Sequence, residues 1–141
     1  MVPATTPGSP SIHARIIHGA LVMGILAFGA LAWALRDHSL PAEALPDRRV
    51  LYAGLALLSA TLFGAAMFSA ARLPAVSRGG SEDEWWRANL GRVVVIWALV
   101  EAPTLLGLLA YTITRDFRTL LAPFIGLLLF ASYRPSRMIE R

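Results

Sequence analysis

Apolar residues in this chain come in long unbroken runs separated by short charged islands, with no period-two alternation that would suggest strands. A helix that crosses a bilayer needs roughly 20 mainly apolar residues, range about 17–25. Four segments meet that requirement: Ile16 to Leu35, Val50 to Ala71, Val93 to Thr114 and Phe117 to Tyr133. The fourth is the shortest. Arg115-Asp116 leaves only a tight turn between the last two, which predicts an antiparallel helical hairpin. The expected fold is therefore all-α, an integral membrane bundle of four transmembrane helices spanning residues 16–133. Residues 1–15 and 134–141 are expected to form tails, the first of them disordered. Met1 to Ser11 supports that reading, with three prolines and no apolar period.

Ala32-Trp33-Ala34 has the form of a signal-peptide cleavage site, but the apolar run before it is 20 residues. That exceeds the roughly 7–15 of a signal h-region. Helix 1 is accordingly read as a span.

Composition agrees: the chain has 141 residues, 56 % hydrophobic, with a net charge of +4. All 13 basic residues are arginine. They are scattered near helix ends instead of lining one amphipathic face, which argues against nucleic acid and for anchoring at a membrane surface. Arg15, the Arg72 to Arg92 loop and the C-terminal tail carry eight of them; Arg36, Arg48, Arg49, Arg115 and Arg118 make five on the other side. The positive-inside rule then places both termini in the cytoplasm, with the bilayer expected to be a bacterial inner membrane. Trp33, Tyr52 and Tyr111 at the outer ends, and Trp85, Trp86 and Tyr133 at the inner ends, fit aromatic belts. The absence of cysteine excludes disulfides and thiolate chemistry.

Between spans 2 and 3, Gly79-Gly80 interrupts any helix, and Ser81-Glu82-Asp83-Glu84 has the S-x-x-E form of a capping box. Three acids there also suit the positive end of a helix dipole. Helix 3 is predicted to start near Glu82. This loop is read as a membrane-surface anchor or as a docking surface for a partner protein.

Small residues let transmembrane helices approach closely. Helix 2 carries Ala53, Ala56, Ala60 and Gly64 at spacings of three and four, and helix 1 carries Ala20, Gly24 and Ala27. Either intramolecular packing or a homo-oligomer interface would use such stripes.

Glu101 is the one acid in the middle of a long apolar run. Counted from Val93, it lies about 12 Å into the span, near the bilayer midplane. A carboxyl there must be protonated, hydrogen-bonded or paired. With no basic residue mid-span, it is expected to be neutral at pH 7. Pro103 frees the carbonyl of Leu99 as an acceptor. Thr104 lies one turn on, and Ser59 and Thr61 of helix 2 lie at matching depth. These are the candidate partners, either in an interhelical clamp or in a proton- or ion-binding site. His18, one turn inside helix 1, is read as interfacial, with a proton relay as the other reading.

At Ala98-Leu99-Val100-Glu101-Ala102-Pro103-Thr104-Leu105-Leu106-Gly107-Leu108 the chain resembles the carboxylate helix of the proteolipid ring subunit of rotary ATP synthases. The resemblance implies an ion-carrying Glu101 preceded by a cytoplasmic loop. The loop here is longer than in that family, and helices 1 and 4 are additional. From Ile16-Ile17-His18 through Gly24 to Arg92 and Glu101-Ala102-Pro103, the chain is similar to small uncharacterised four-helix membrane proteins of bacteria, which implies the fold and no mechanism. Small multidrug exporters share the size and one membrane glutamate, but theirs lies in the first helix, which here has no acid.

No metal-spaced histidine pair, phosphate-binding glycine loop or nucleophile elbow is present, so neither an enzyme nor a cofactor is expected. The expectation is a structural, accessory or assembly component, with proton or cation translocation through Glu101 as the alternative. Membrane partners or a homo-oligomer would follow from either.

Overall fold

A computed structural model of the chain describes residues 8–35, 47–76 and 79–139. Among these residues all regular structure is helical: α1 (Pro10–Ala34), α2 (Arg48–Ala71), α3 (Glu82–Thr114), a 3-10 segment (Phe117–Leu120), α4 (Leu121–Ser132) and α5 (Pro135–Ile139). Three helices, α1, α2 and α3, are long and apolar enough to cross a membrane. The fourth apolar helix, Phe117–Ser132, is shorter. Its 3-10 turn rises about 2.0 Å per residue and its α-helical part about 1.5 Å, giving about 26 Å against a hydrocarbon core of roughly 30 Å. The sequence expectation of four full spans is thus met by three, with α4 a few ångströms short.

The ends also differ from expectation. Helix α1 starts at Pro10, inside the segment expected to be a tail, because proline at the first helical position gives up no hydrogen bond. Ser11 and Ala14 are buried there, the Ser11 backbone N–H donates to Asp83 at 3.4 Å, and Arg15 pairs with Glu82 at 3.6 Å. Burial against the start of α3, which sequence periodicity does not encode, orders this stretch. The expected C-terminal tail likewise holds α5, whose Met138 is buried. Residues 1–7 of the expected disordered tail lie outside the described residues, as do Arg36, Arg78 and Arg141.

Helix α3 is the axis of the fold, packed against α1, α2 and α4. It begins with the expected capping box: Ser81 Oγ accepts from the Glu84 N–H and Glu84 Oε2 accepts from the Ser81 N–H, both at 3.2 Å. Gly79 before it has φ +91°, a conformation that favours glycine. At its other end Arg115 adopts left-handed φ 56°, and its N–H reaches the Tyr111 carbonyl at 2.8 Å. Asp116 then accepts from the Arg118 N–H at 2.9 Å and from Tyr52 Oη–H at 2.6 Å, which ties the α3–α4 turn to α2.

Helices α3 and α4 form the antiparallel hairpin and approach most closely at two glycines. A methyl group on Gly107 would stand 2.8 Å from the Thr119 carbonyl oxygen, and one on Gly126 would stand 3.0 Å from Thr104 Cβ. The small-residue stripes read from the sequence lie elsewhere: Ala20, Gly24 and Ala27 of α1, and Ala53, Ala56, Ala60 and Gly64 of α2, are exposed. Helix spacing identified faces that permit close approach, but it could not say which of them is covered.

Four of the expected belt aromatics belong to the interior instead. Trp86 is fully buried, Trp85 and Tyr133 nearly so, and Trp97 also lies in this cluster with no exposed surface. Trp85 stacks edge-on against Trp86 at 5.0 Å and donates its indole N–H to the Pro74 carbonyl at 2.8 Å. Tyr111, expected in the outer belt, is buried as well, whereas Trp33 is 54 % exposed. Indole rings satisfy a core when a carbonyl is in reach of the N–H, as for Trp85 and Trp97, whereas Trp86 is held by packing alone with its Nε1 unpaired.

Candidate functional site

Helices α1 and α3 run parallel. Ser11 and Arg15 of α1 reach Asp83 and Glu82 at the start of α3, His18 meets Trp97 with ring centroids 5.1 Å apart, and Gly29 faces Leu108 farther along both helices. Trp97, Glu101, Leu105 and Leu108 recur at spacings of three and four, so Glu101 lies on the stripe directed to α1. The α1 side of that seam offers Ile17, Leu21, Val22 and Ile25, all apolar. Ala98 and Ala102, beside Glu101 on its other side, are exposed together with Val95 and Leu109. Glu101 therefore stands partly buried at the edge of the α1–α3 seam, next to an open face of α3.

The partners proposed for it from sequence are not brought to it. Among the described residues, no hydrogen bond or ion pair involves Glu101. Thr104 has no exposed surface and donates to the Val100 carbonyl of its own helix at 2.6 Å, while pressed against Gly126 of α4. Thr61 is exposed and donates to the Leu57 carbonyl at 2.8 Å. A hydroxyl in an apolar surrounding satisfies itself locally on the carbonyl four residues back, and depth matching along the sequence does not register that competition. Ser59 is buried with its Oγ unpaired, but it lines a separate groove between α2 and α4. The expected clamp of Glu101 to helix 2 is thus absent.

At the end of the bundle that carries the start of α1, a polar arrangement escaped the sequence reading. Phe130 and Tyr133 stand at the C-terminal end of α4, where carbonyls lack intrahelical partners. His18 Nε2 lies 3.1 Å from the Phe130 carbonyl oxygen and Trp97 Nε1 donates to that of Tyr133 at 3.0 Å. A carbonyl oxygen only accepts, so the His18 proton is assigned to Nε2. The His18 ring also packs edge-on to Phe130 at 5.7 Å. Two side chains from different helices cap a third. Residue spacing within one helix carries no signal for this.

The groove between α2 and α4 has a volume of about 490 Å³ and is walled by Leu55, Phe63, Leu121 and Ile125, with Tyr52 and Arg118 at one end. Ligand sites commonly occupy roughly 300–1,000 Å³. Among the described residues no group of His, Asp and Glu side chains has metal-holding geometry.

These helices have the length and hydropathy of membrane spans, which is the make-up of a membrane protein, and among the described residues the fold is all-helical with Glu101 inside its apolar zone. No protein-family model, curated protein or solved structure matches it.

Proposed function

We propose that this chain is a non-catalytic accessory or assembly subunit of a complex in a bacterial inner membrane, with both termini cytoplasmic and Glu101 as its polar contact to a partner helix. The observation that carries the reading is the position of Glu101: partly buried, unpaired among the described residues and bordering the exposed Ala98 and Ala102. A carboxyl at membrane depth seeks a hydrogen-bonding partner, and the flanking alanines allow another backbone to come close. The arginine asymmetry supports the orientation. The start of α1, the start of α3 and α5 also gather at one end, through the Arg15–Glu82 pair and the packing of α1 against α5.

The second reading, proton or cation translocation through Glu101, draws on the same unclamped carboxyl. Labelling with a hydrophobic carbodiimide, read by intact mass with Glu101→Gln as control, separates them. A partner contact gives protection in native membranes and rapid labelling of the detergent-purified chain. Rapid, pH-dependent labelling in native membranes as well supports ion exchange. No labelling in either state, with labelling only after denaturation, returns Glu101 to a clamp within the chain and defeats both. Glu101→Gln keeps hydrogen bonding, so a partner contact survives it, whereas an ion carrier folds but loses transport.

A further inference from the structure

We infer that the groove between α2 and α4 binds a glycerophospholipid with an anionic headgroup. Three observations support this occupant. Ser59 is 8 % exposed and its Oγ is buried without a partner, although it lines a cavity of about 490 Å³. A hydroxyl left unpaired in an apolar surrounding bears an uncompensated desolvation cost, and a ligand acceptor removes it. Arg118 lines the same groove and is exposed; among the described residues it has no ion-pair partner, so its guanidinium is available to a phosphate. Leu55, Phe63, Leu121, Ala122 and Ile125 supply apolar walls to the same groove.

The order of these features along the groove matches the order of groups in such a lipid. Helices α2 and α4 run in the same direction, fixed at one end by the Tyr52–Asp116 hydrogen bond. Ser59 lies two turns inward from Tyr52, about 10 Å along the helix, and Arg118 stays at the Tyr52 end. A phosphate on Arg118 sets the ester carbonyls, one glycerol linker deeper, toward Ser59 Oγ. The acyl chain then follows the apolar wall.

The test is native mass spectrometry of the full chain in detergent, titrated with an anionic and a zwitterionic phospholipid bearing identical acyl chains. One anionic lipid per chain is expected, held at least about tenfold more tightly than the zwitterionic one, since a charged hydrogen bond contributes on that order. Arg118→Ala should remove the headgroup preference and keep the backbone N–H bond to Asp116 that shapes the turn, while relieving the charge attraction between the guanidinium and that carboxyl. Ser59→Leu, which fills the groove, should weaken both lipids, while Arg72→Ala should change nothing. Equal binding of the two lipids, or a preference that survives Arg118→Ala, overturns the inference. So does a dimer abolished by Ser59→Leu and indifferent to added lipid, which would assign the groove to a second copy.

Discussion

Replacing Gly126 by alanine should loosen the α3–α4 hairpin by an amount that its geometry sets. The added Cβ would stand 3.0 Å from Thr104 Cβ and 3.3 Å from its Cγ2, and it would overlap Oγ1 outright. Carbon pairs are comfortable at about 3.5–4.0 Å, so α4 must retreat by about 0.5–1 Å at this level. A gap of that size forfeits a quarter to a half of each affected contact, and Gly107, Pro123 and Thr119 share the interface. Thr104 cannot easily turn away, being without exposed surface and bonded to Val100. Overpacking of this kind costs about 1–3 kcal/mol, and the direct overlap puts Gly126→Ala in the upper half, about 2–3 kcal/mol. That is roughly a thirty- to hundred-and-fifty-fold change in the unfolding equilibrium. The assay is reversible unfolding in mixed micelles, with Gly24→Ala as control because a methyl there meets nothing within 4 Å. Thr104→Ala removes the overlapping Oγ1, so the double variant should regain at least about 1 kcal/mol relative to the sum of the single changes. Strict additivity, or a Gly126→Ala protein as stable as Gly24→Ala, would refute the reasoning.

Asp116 is held below the ordinary aspartate range, first by the Tyr52 hydroxyl and then by the Arg118 backbone N–H. A depressed carboxyl contributes stability above its unfolded pKa of about 3.9 and loses it as pH falls through the lower folded value. Wild type should therefore show an added loss of stability below about pH 4 that Tyr52→Phe reduces and Asp116→Asn abolishes, read from unfolding at stepped pH; identical acid limbs would contradict it. Arg115→Gly should stabilise the chain by about 0.5–1 kcal/mol in the same micelle assay, because glycine adopts φ 56° without the Cβ clash; a loss would show that the arginine side chain does more than occupy the turn. His18→Leu should cost about 1–3 kcal/mol by orphaning the Phe130 carbonyl, and His18→Gln, which retains a donor, should cost less; equal losses would mean that ring packing, not the hydrogen bond, is what His18 supplies.

Much of the backbone was legible from the chain alone. Apolar run length located the helices, Ser81 and Glu84 fixed the start of α3, and Arg115-Asp116 set the hairpin turn, because each signal acts within a few residues of itself. The position of Glu101 inside a long apolar run was also visible, since its neighbours in sequence are all apolar, whereas the placement of Ser59, Thr61 and Thr104 away from it was not. Which faces meet was not visible. The alanine stripes of α1 and α2 have the spacing that favours packing yet stay exposed, while single glycines at 107 and 126 carry the tightest approach. Likewise, His18 and Trp97 are ordinary span residues until α4 brings its carbonyl-rich end within reach of both. Periodicity fixes a residue's angle on its own helix, but not the rotation of one helix against another. That rotation is chosen by the summed close packing and by the need to satisfy polar groups at the helix ends, both properties of the assembled bundle.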